Sequence, residues 1–118
     1  MKFAERNYLL YLEDILLSME RIQEYISELN FQHFKWDYKT VDDVIRNFEI
    51  IGEASKNLSK PIKEKYPFVP WEEMYQLRNR ISHEYFGIDY EIIWEIATVE
   101  LPVNQQQIKD ILSIEKTS

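Results

Sequence analysis

Apolar residues recur at helical spacing along most of the chain, and this pattern restricts the possible folds more than any other feature. In the first thirty residues they follow one another mostly at steps of three and four: Leu9, Leu12, Ile15, Leu16, Met19, Ile22, Ile26 and Leu29. Such steps place side chains on one face of an α-helix. This first helix is long and can end at Asn30. With only two glycines in the chain, the sequence predicts an all-α fold.

Further helices follow, separated by capping residues and prolines. Thr40 is the expected N-cap of a second helix, in which the small Gly52 allows a neighbouring helix to approach closely. Pro61 suits the first turn of a short helix that ends near Tyr66. The two prolines of residues 67–70 then require a loop, because each pushes its predecessor out of helical geometry.

The last third of the chain predicts two more helices. One begins near Trp71 and is expected to be broken by Gly87. The other is capped by Asp89 and interrupted by Pro102, and its tail, residues 115–118, is expected to fray. The whole pattern predicts a bundle of four or five helices with mostly short antiparallel connections.

The composition fits a single domain over residues 1–118 and excludes several classes of protein. Hydrophobic residues make up 45% of the chain and charged residues 30%, which excludes a disordered chain. The absence of cysteine excludes disulfides and thiolate chemistry. The longest unbroken apolar run, residues 8–12, is too short for a membrane span or the core of a signal peptide, so we expect no membrane association and a cytoplasmic location.

The charge is unevenly distributed. A net charge of −7 argues against tight, non-specific binding of nucleic acid, since phosphate binding normally leaves a basic footprint. Residues 54–83, however, hold six Lys and Arg against three Asp and Glu, whereas the rest of the chain holds eight against eighteen. This basic window either binds an anion or merely solvates a surface. The acidic remainder suits a basic protein partner.

The basic window contains most of the segment with the greatest chemical potential, which reads Arg78-Asn79-Arg80-Ile81-Ser82-His83-Glu84-Tyr85. An imidazole moves protons near neutral pH, and a guanidinium binds phosphate oxygens. Five residues along an ideal helix turn about 140° and rise about 7.5 Å, so Arg78 and His83 do not point the same way. A single site therefore requires that the helix ends or distorts near Ser82, that the arginine bends across, or that a second chain supplies the complementary residue.

These residue types suit the cleavage of RNA. Neutral His83 can accept the proton of a ribose 2′-hydroxyl, which then attacks the adjacent phosphate, and Arg78 can stabilise the developing charge. Water or a second His83 can protonate the leaving oxygen, and Asn79 can orient the phosphate or the imidazole. The structural alternative is that Arg80 and Glu84 form an ordinary helix ion pair while His83 interacts with the helix dipole.

The spacing Arg-x4-His-x-Tyr, on a helix late in a small all-helical chain, is similar to the motif of the HEPN superfamily. More narrowly, it resembles the motif of the HepT toxin family. The resemblance extends over nearly the whole chain. Four features outside the motif contribute to it: Ile51-Gly52-Glu53-Ala54, Pro67 with Trp71, Asp89-Tyr90, and Leu101-Pro102.

The resemblance implies a HEPN-type bundle that forms a homodimer with its motif helices facing one cleft. It also implies a metal-independent ribonuclease toxin without a cofactor, whose partner is an MNT-type nucleotidyltransferase antitoxin that transfers AMP from ATP to the motif tyrosine. Carried over to this chain, Arg78 and His83 are catalytic, Asn79 supports them, and Tyr85 is modified. Added phosphates would place negative charge and bulk where an RNA phosphate must enter.

Two other functions stay open at this point. The first is a non-catalytic helical subunit that holds a nucleotidyltransferase, which the acidic surface favours. The second is a purely structural helical dimer.

Other residues give weaker signals. His33 lies in an aromatic stretch, residues 31–36, which we expect to form a loop that either stacks on bases or caps the core. His33 and His83 lack the spacing of metal ligands, and Glu49 with Glu53 is far short of a di-iron pattern.

Overall fold

The computed structural model describes residues 2–83 and 87–117, and for residues 2–7 and His83 it describes the backbone alone. Helices dominate, so the prediction of an all-α fold is confirmed. The elements in chain order are α1 (Lys2–Ile26), α2 (Phe31–Trp36), α3 (Tyr38–Asn57), α4 (Lys60–Lys65), α5 (Trp71–Tyr75), α6 (Leu77–Ile81), β1 (Ser82–His83), β2 (Gly87–Ile88), α7 (Tyr90–Glu95), a π-helical turn (Ile96–Glu100) and α8 (Leu101–Thr117).

One hydrophobic core joins the long helices. Helix α3 packs against α1, α5 and α6, and α1 also packs against α8. The apolar stripe of α1 is buried as the spacing predicts, together with the stripe of α3; the fully buried members include Leu12, Ile15, Met19, Ile22, Val44, Phe48 and Ile51. A Cβ atom on Gly52 would lie 3.1 Å from the backbone oxygen of Tyr75, which confirms the close helix approach predicted at this glycine.

The connection between α1 and α3 differs from the prediction. Helix α1 ends at Ile26, before Asn30, and the stretch predicted as a loop is the short helix α2. Asn30 caps α2, since its Oδ1 accepts from the His33 N–H at 2.8 Å. Asp37, not Thr40, caps α3: its carboxylate accepts from the Thr40 N–H at 3.1 Å and from Thr40 Oγ1 at 2.8 Å. Two cap residues so close together allow a helix of one and a half turns that periodicity alone does not reveal.

The motif region is helical for fewer residues than predicted. Helix α5 begins at Trp71 as expected, and the chain bends at Gln76 (φ −88°, ψ 10°) before continuing as α6. Helix α6 ends at Ile81, so the prediction that Gly87 breaks this helix is wrong. Ser82 is extended (φ −118°, ψ 144°), and β1 and β2 pair in antiparallel register, His83 with Gly87.

The final helical run is continuous but irregular. Asp89 caps α7 as predicted, accepting from the Ile92 N–H at 3.0 Å. The π-helical turn ends at Glu100, two residues before Pro102, and the Leu101 N–H donates to the Ile96 oxygen five residues earlier. Because proline has no N–H for the preceding turn, a π turn accommodates it without ending the helix. At Pro102 the structure therefore has a π turn in a helix that continues to Thr117, in place of the predicted interruption.

The predicted fraying of the C-terminal tail is wrong. Helix α8 runs to Thr117, and its Glu115 side chain is only 5% exposed. That carboxylate accepts hydrogen bonds from Tyr8 Oη at 2.7 Å, from Lys65 Nζ at 2.8 Å, and from the Tyr66 hydroxyl. These bonds fasten the last helix to α1 and to the end of α4.

Across residues 2–83 and 87–117, every helix is too short or too polar to cross a membrane.

Candidate active site

Arg78 lies in α6 with its guanidinium directed into solvent. Its side chain is 76% exposed, and its Nη1 atom lies 3.6 Å from Oε2 of Glu49 on α3. A helix of five residues between a bend and a strand keeps this arginine at the surface, because Leu77 and Ile81 on either side of it are buried. The guanidinium is therefore accessible to an anionic ligand.

A polar cleft of about 320 Å³ separates α3 from the α5–α6 bend. Its floor is Gly52, where α3 and α5 approach closely. Its polar and aromatic walls are Glu49, Glu53, Tyr75, Gln76, Arg78 and Asn79. A larger residue at position 52 would contact a backbone atom and push the two walls apart.

Asn79 is held by a side chain one turn earlier. Its Nδ2 donates to Oε1 of Gln76 at 2.5 Å, and Gln76 Nε2 in turn donates to Oε1 of Glu72 at 3.2 Å. One N–H of Asn79 is thus used, while a carboxamide still carries a second N–H and an acceptor oxygen. This orientation is compatible with the predicted supporting role.

The backbone agrees with one of the three alternatives for a site that holds Arg78 and His83, an early end of the helix. Helix α6 ends at Ile81, so His83 lies in a strand and the 140° separation of an ideal helix does not apply. The side chain of His83 and the whole of Tyr85 lie outside the described part of the chain. The roles assigned to both residues stay predictions, as does the second chain.

Arg80 has a structural role that distinguishes it from Arg78. Its Nη1 and Nη2 donate to the two carboxylate oxygens of Glu100 at 3.0 and 2.8 Å, which ties α6 to the π-helical turn. These hydrogen bonds raise the pKa of Arg80 and keep it charged. Glu84, the partner expected for Arg80, lies outside the described residues.

The basic window of residues 54–83 is less available than its charge suggests. Four of its six cations lie in ion pairs with carboxylates: Lys60 with Glu64, Lys65 with Glu115, Arg78 with Glu49, and Arg80 with Glu100. Three of those carboxylates lie outside the window. The charge of the sequence window therefore overstates the positive charge that these residues leave unpaired.

Sequence reasoning missed part of this site. Glu49 and Glu53 were noted only as a spaced pair, and Tyr75 and Gln76 were not considered. The signal was present, since Glu49, Gly52 and Glu53 share one helical face and Gln76 precedes Asn79 by one turn. Among the described residues, no group of three or more His, Asp or Glu could hold a metal ion.

The fold and the site define a small all-α protein with an accessible arginine at a polar cleft, directly before a histidine-bearing strand. Comparison with known proteins shows which family has this fold and site. The profile of the family described as "Ribonuclease HepT-like" matches residues 15–111. The chain therefore belongs to the HepT-like ribonuclease family, and the prediction of an RNA-cleaving enzyme is confirmed at that level.

Individual relatives also carry ribonuclease names. A Methanocaldococcus jannaschii protein named "Putative RNase MJ0127" is 44% identical over 86% of this chain and 84% of its own length. "Putative RNase TTE0752" of Caldanaerobacter subterraneus subsp. tengcongensis is 43% identical over 90% and 95%. "Probable ribonuclease HepT" of Thermococcus cleftensis is 42% identical over 83% and 89%. No solved structure matches the chain significantly.

Proposed function

We propose that this protein is a metal-independent endoribonuclease in which Arg78 and His83 are catalytic and Asn79 supports them. The observation that carries the proposal is the accessible guanidinium of Arg78 at a polar cleft, five residues before the only histidine of the motif segment. Membership of a ribonuclease family supports RNA as the substrate.

The proposed reaction is an internal transfer within RNA. His83 takes the proton of a ribose 2′-hydroxyl, the 2′-oxygen bonds to the adjacent phosphorus, and the bond from phosphorus to the 5′-oxygen breaks. The leaving 5′-oxygen takes a proton from an acid, and the products carry a 2′,3′-cyclic phosphate and a 5′-hydroxyl. Arg78 stabilises the charge on the phosphoryl oxygens. DNA has no 2′-hydroxyl and should resist cleavage.

The proposal includes a homodimer with two motif segments facing one cleft. A second His83 across a two-fold axis would supply the acid that the leaving oxygen needs. Mixing two inactive variants tests whether the two chains share a site. If each site draws Arg78 and His83 from different chains, a mixture of Arg78→Met and His83→Ala protein should regain part of the activity after subunit exchange. If both come from one chain, it should not.

We further propose that the enzyme is a toxin of the cytoplasm, neutralised by an MNT-type nucleotidyltransferase that transfers AMP to Tyr85. Tyr85 stands two residues after His83, so an added nucleotide would carry negative charge into the region of the substrate phosphate. The family resemblance supports this partner, and the exposed carboxylates of the cleft suit a basic protein surface.

Cleavage of RNA in EDTA tests the enzymatic part. Parent protein should produce 5′-hydroxyl ends from single-stranded RNA, and Arg78→Met or His83→Ala should reduce the rate about 100-fold or more. Arg21→Met, a change at an exposed arginine of α1, is the matched control and should retain the parent rate. Equal rates for parent and His83→Ala, with both proteins folded, would overturn the assignment.

Co-expression tests the regulatory part. In the presence of the nucleotidyltransferase encoded nearest to this gene, the intact mass should increase by one or more AMP units, and Tyr85→Phe should abolish the increase. An unmodified chain beside an active nucleotidyltransferase would contradict modification while leaving the nuclease intact.

One observation favours a second function, a non-catalytic subunit that holds a nucleotidyltransferase. Glu49 and Glu53 line the same cleft as Arg78, and carboxylates repel an RNA phosphate. Under this function, the complex should survive His83→Ala, and expression of the chain alone should not harm cells.

A further inference from the structure

Two large aromatic rings lie in solvent where α2 meets α3. Trp36 is 79% exposed and Tyr38 is 70% exposed. Only Asp37 separates them, and the side chains of Lys35 and Lys39 on either side are exposed as well. We call Lys35, Trp36, Tyr38 and Lys39 the aromatic platform. Of the two alternatives for residues 31–36, packing against the core applies to Phe31 and Phe34 and not to Trp36.

Helix α2, which carries one end of the platform, is held by core packing and by caps. Phe34 of α2 is fully buried, and its ring centroid lies 5.2 Å from that of Trp94 on α7. The Phe31 ring lies 6.3 Å from the same tryptophan. The Asn30 and Asp37 caps fix both ends of the short helix. The exposed rings are therefore presented by a rigid backbone, which lowers the entropy cost of using them in binding.

The charges around the rings favour an anionic partner. Lys35 and Lys39 flank them, and Asp37 between the rings stays a charged carboxylate, because the N–H and hydroxyl of Thr40 lower its pKa. Two lysines against one aspartate leave the segment 35–39 with a net charge of +1. A flat ring can stack on any nucleic acid base, and nearby cations attract the phosphates. In a chain of net charge −7, a lysine–aromatic alternation is a local exception.

A cleft connects the platform to the motif region. It has a volume of about 320 Å³ and lies between α2 and the segment that runs from β2 into α7. Lys35 and Phe31 line one side, and residues 88–91 line the other. Ile88 pairs with Ser82, so the cleft begins at the same hairpin that carries His83. Asp89 and Glu91 are two acidic residues on its wall, against the single cation Lys35.

We propose that the aromatic platform is a base-stacking subsite for single-stranded RNA. The strand would extend from the cleavage position at the motif, along the cleft, and place bases on Trp36 and Tyr38. The path of the strand from the motif to the platform rests on the proposed ribonuclease function. Binding of RNA at the platform, however, can be measured without cleavage. Stacking is tolerant of base identity, so the subsite would add affinity and length preference with little sequence specificity.

Binding is measured with His83→Ala protein, which keeps the RNA intact, and a fluorescein-labelled single-stranded RNA of mixed sequence. Trp36→Ala should weaken binding about five- to tenfold, and Trp36→Phe should retain most of the affinity. Phe68→Ala is the matched control, because Phe68 is an aromatic residue 59% exposed in the loop before α5. Lys35→Gln should lower the slope of log affinity against log salt by roughly 0.7.

Single-stranded DNA of the same sequence should bind the platform with similar dependence on Trp36. Unchanged RNA affinity in Trp36→Ala protein would overturn the proposal. Unchanged RNA affinity with a loss of self-association in sedimentation would overturn it too and assign the rings to a protein interface. If parent protein binds RNA through Trp36 but never cleaves it, the proposed ribonuclease function is overturned and the proposed subsite is supported.

Discussion

Arg78 Nη1 lies 3.6 Å from Glu49 Oε2, so the arginine that we assign to the substrate phosphate is paired with a carboxylate of the neighbouring helix. The two side chains are 76% and 45% exposed. Exposed ion pairs contribute only about 0.2–1 kcal/mol. A pair this weak does not prevent the transfer of the guanidinium to a phosphate.

Removing the carboxylate should therefore help the substrate to bind. Glu49→Gln should lower KM for RNA about 1.5- to fivefold, because the substrate phosphate no longer has to displace the Glu49 carboxylate from Arg78. The value of kcat should change less. Glu64→Gln removes the same charge from an exposed pair with Lys60 and should leave KM unchanged. Steady-state kinetics at low salt measures both. A rise in KM would mean that Glu49 holds Arg78 in its productive position.

Two arginines on one short helix should separate activity from stability. Arg78→Met should abolish cleavage and leave the free energy of unfolding nearly unchanged. Arg80→Met should lower the free energy of unfolding by about 1–2 kcal/mol, because it leaves half-buried Glu100 without its bidentate partner. The Arg80→Met protein that remains folded should still cleave RNA. Denaturant titration and initial rates on the same preparations provide the comparison, and the opposite pattern would reverse the two roles.

Periodicity predicted the parts of the fold that depend on burial. The stripe of α1, the close approach at Gly52 and the cap at Asp89 are all present, because each follows from a few neighbouring residues. The early end of the motif helix at Ile81 was not predicted. It depends on the pairing of residues 82–83 with residues 87–88, and a two-residue strand has no periodicity to detect.

The residues of the site that are neighbours in sequence were predictable, and those brought together by helix packing were not. Arg78 and Asn79 are found on one cleft because they are neighbours in sequence. Glu49 comes from α3, far from Arg78 in sequence, and only the packing of α3 against α6 brings it there. The burial of Glu115 likewise depends on partners from α1 and the end of α4, so local polarity suggested a frayed tail where the structure has an anchored helix.

Gly87 should matter through its backbone conformation. Its φ of +78° is in the left-handed region, and no described atom lies within 4 Å of where a Cβ would be. Gly87→Ala should thus cost about 1 kcal/mol of backbone strain, whereas Gly87→Asn should cost less, since asparagine tolerates this region. Because Gly87 pairs with His83, RNA cleavage should fall in the same order. Equal stability and activity of the two variants would contradict this account.

Glu115 should make stability depend on pH in the acidic range. Burial raises the pKa of its carboxyl, but the hydrogen bonds from Lys65, Tyr66 and Tyr8 outweigh burial and leave the pKa below 4.5. A lowered pKa in the folded state stabilises the fold above the unfolded value, and that stabilisation is lost as pH falls through the folded value.

Glu115→Gln should accordingly lower the free energy of unfolding by about 1–3 kcal/mol at pH 7. The difference from the parent should shrink as pH falls below 4.5, the ordinary value for a glutamate. Glu13→Gln, which breaks the exposed pair with Lys116 at the same end of the molecule, should cost much less and show little pH dependence. Urea titrations at several pH values test both variants. A difference between parent and Glu115→Gln that stays constant with pH would show that the Glu115 carboxylate charge does not hold α8 in place.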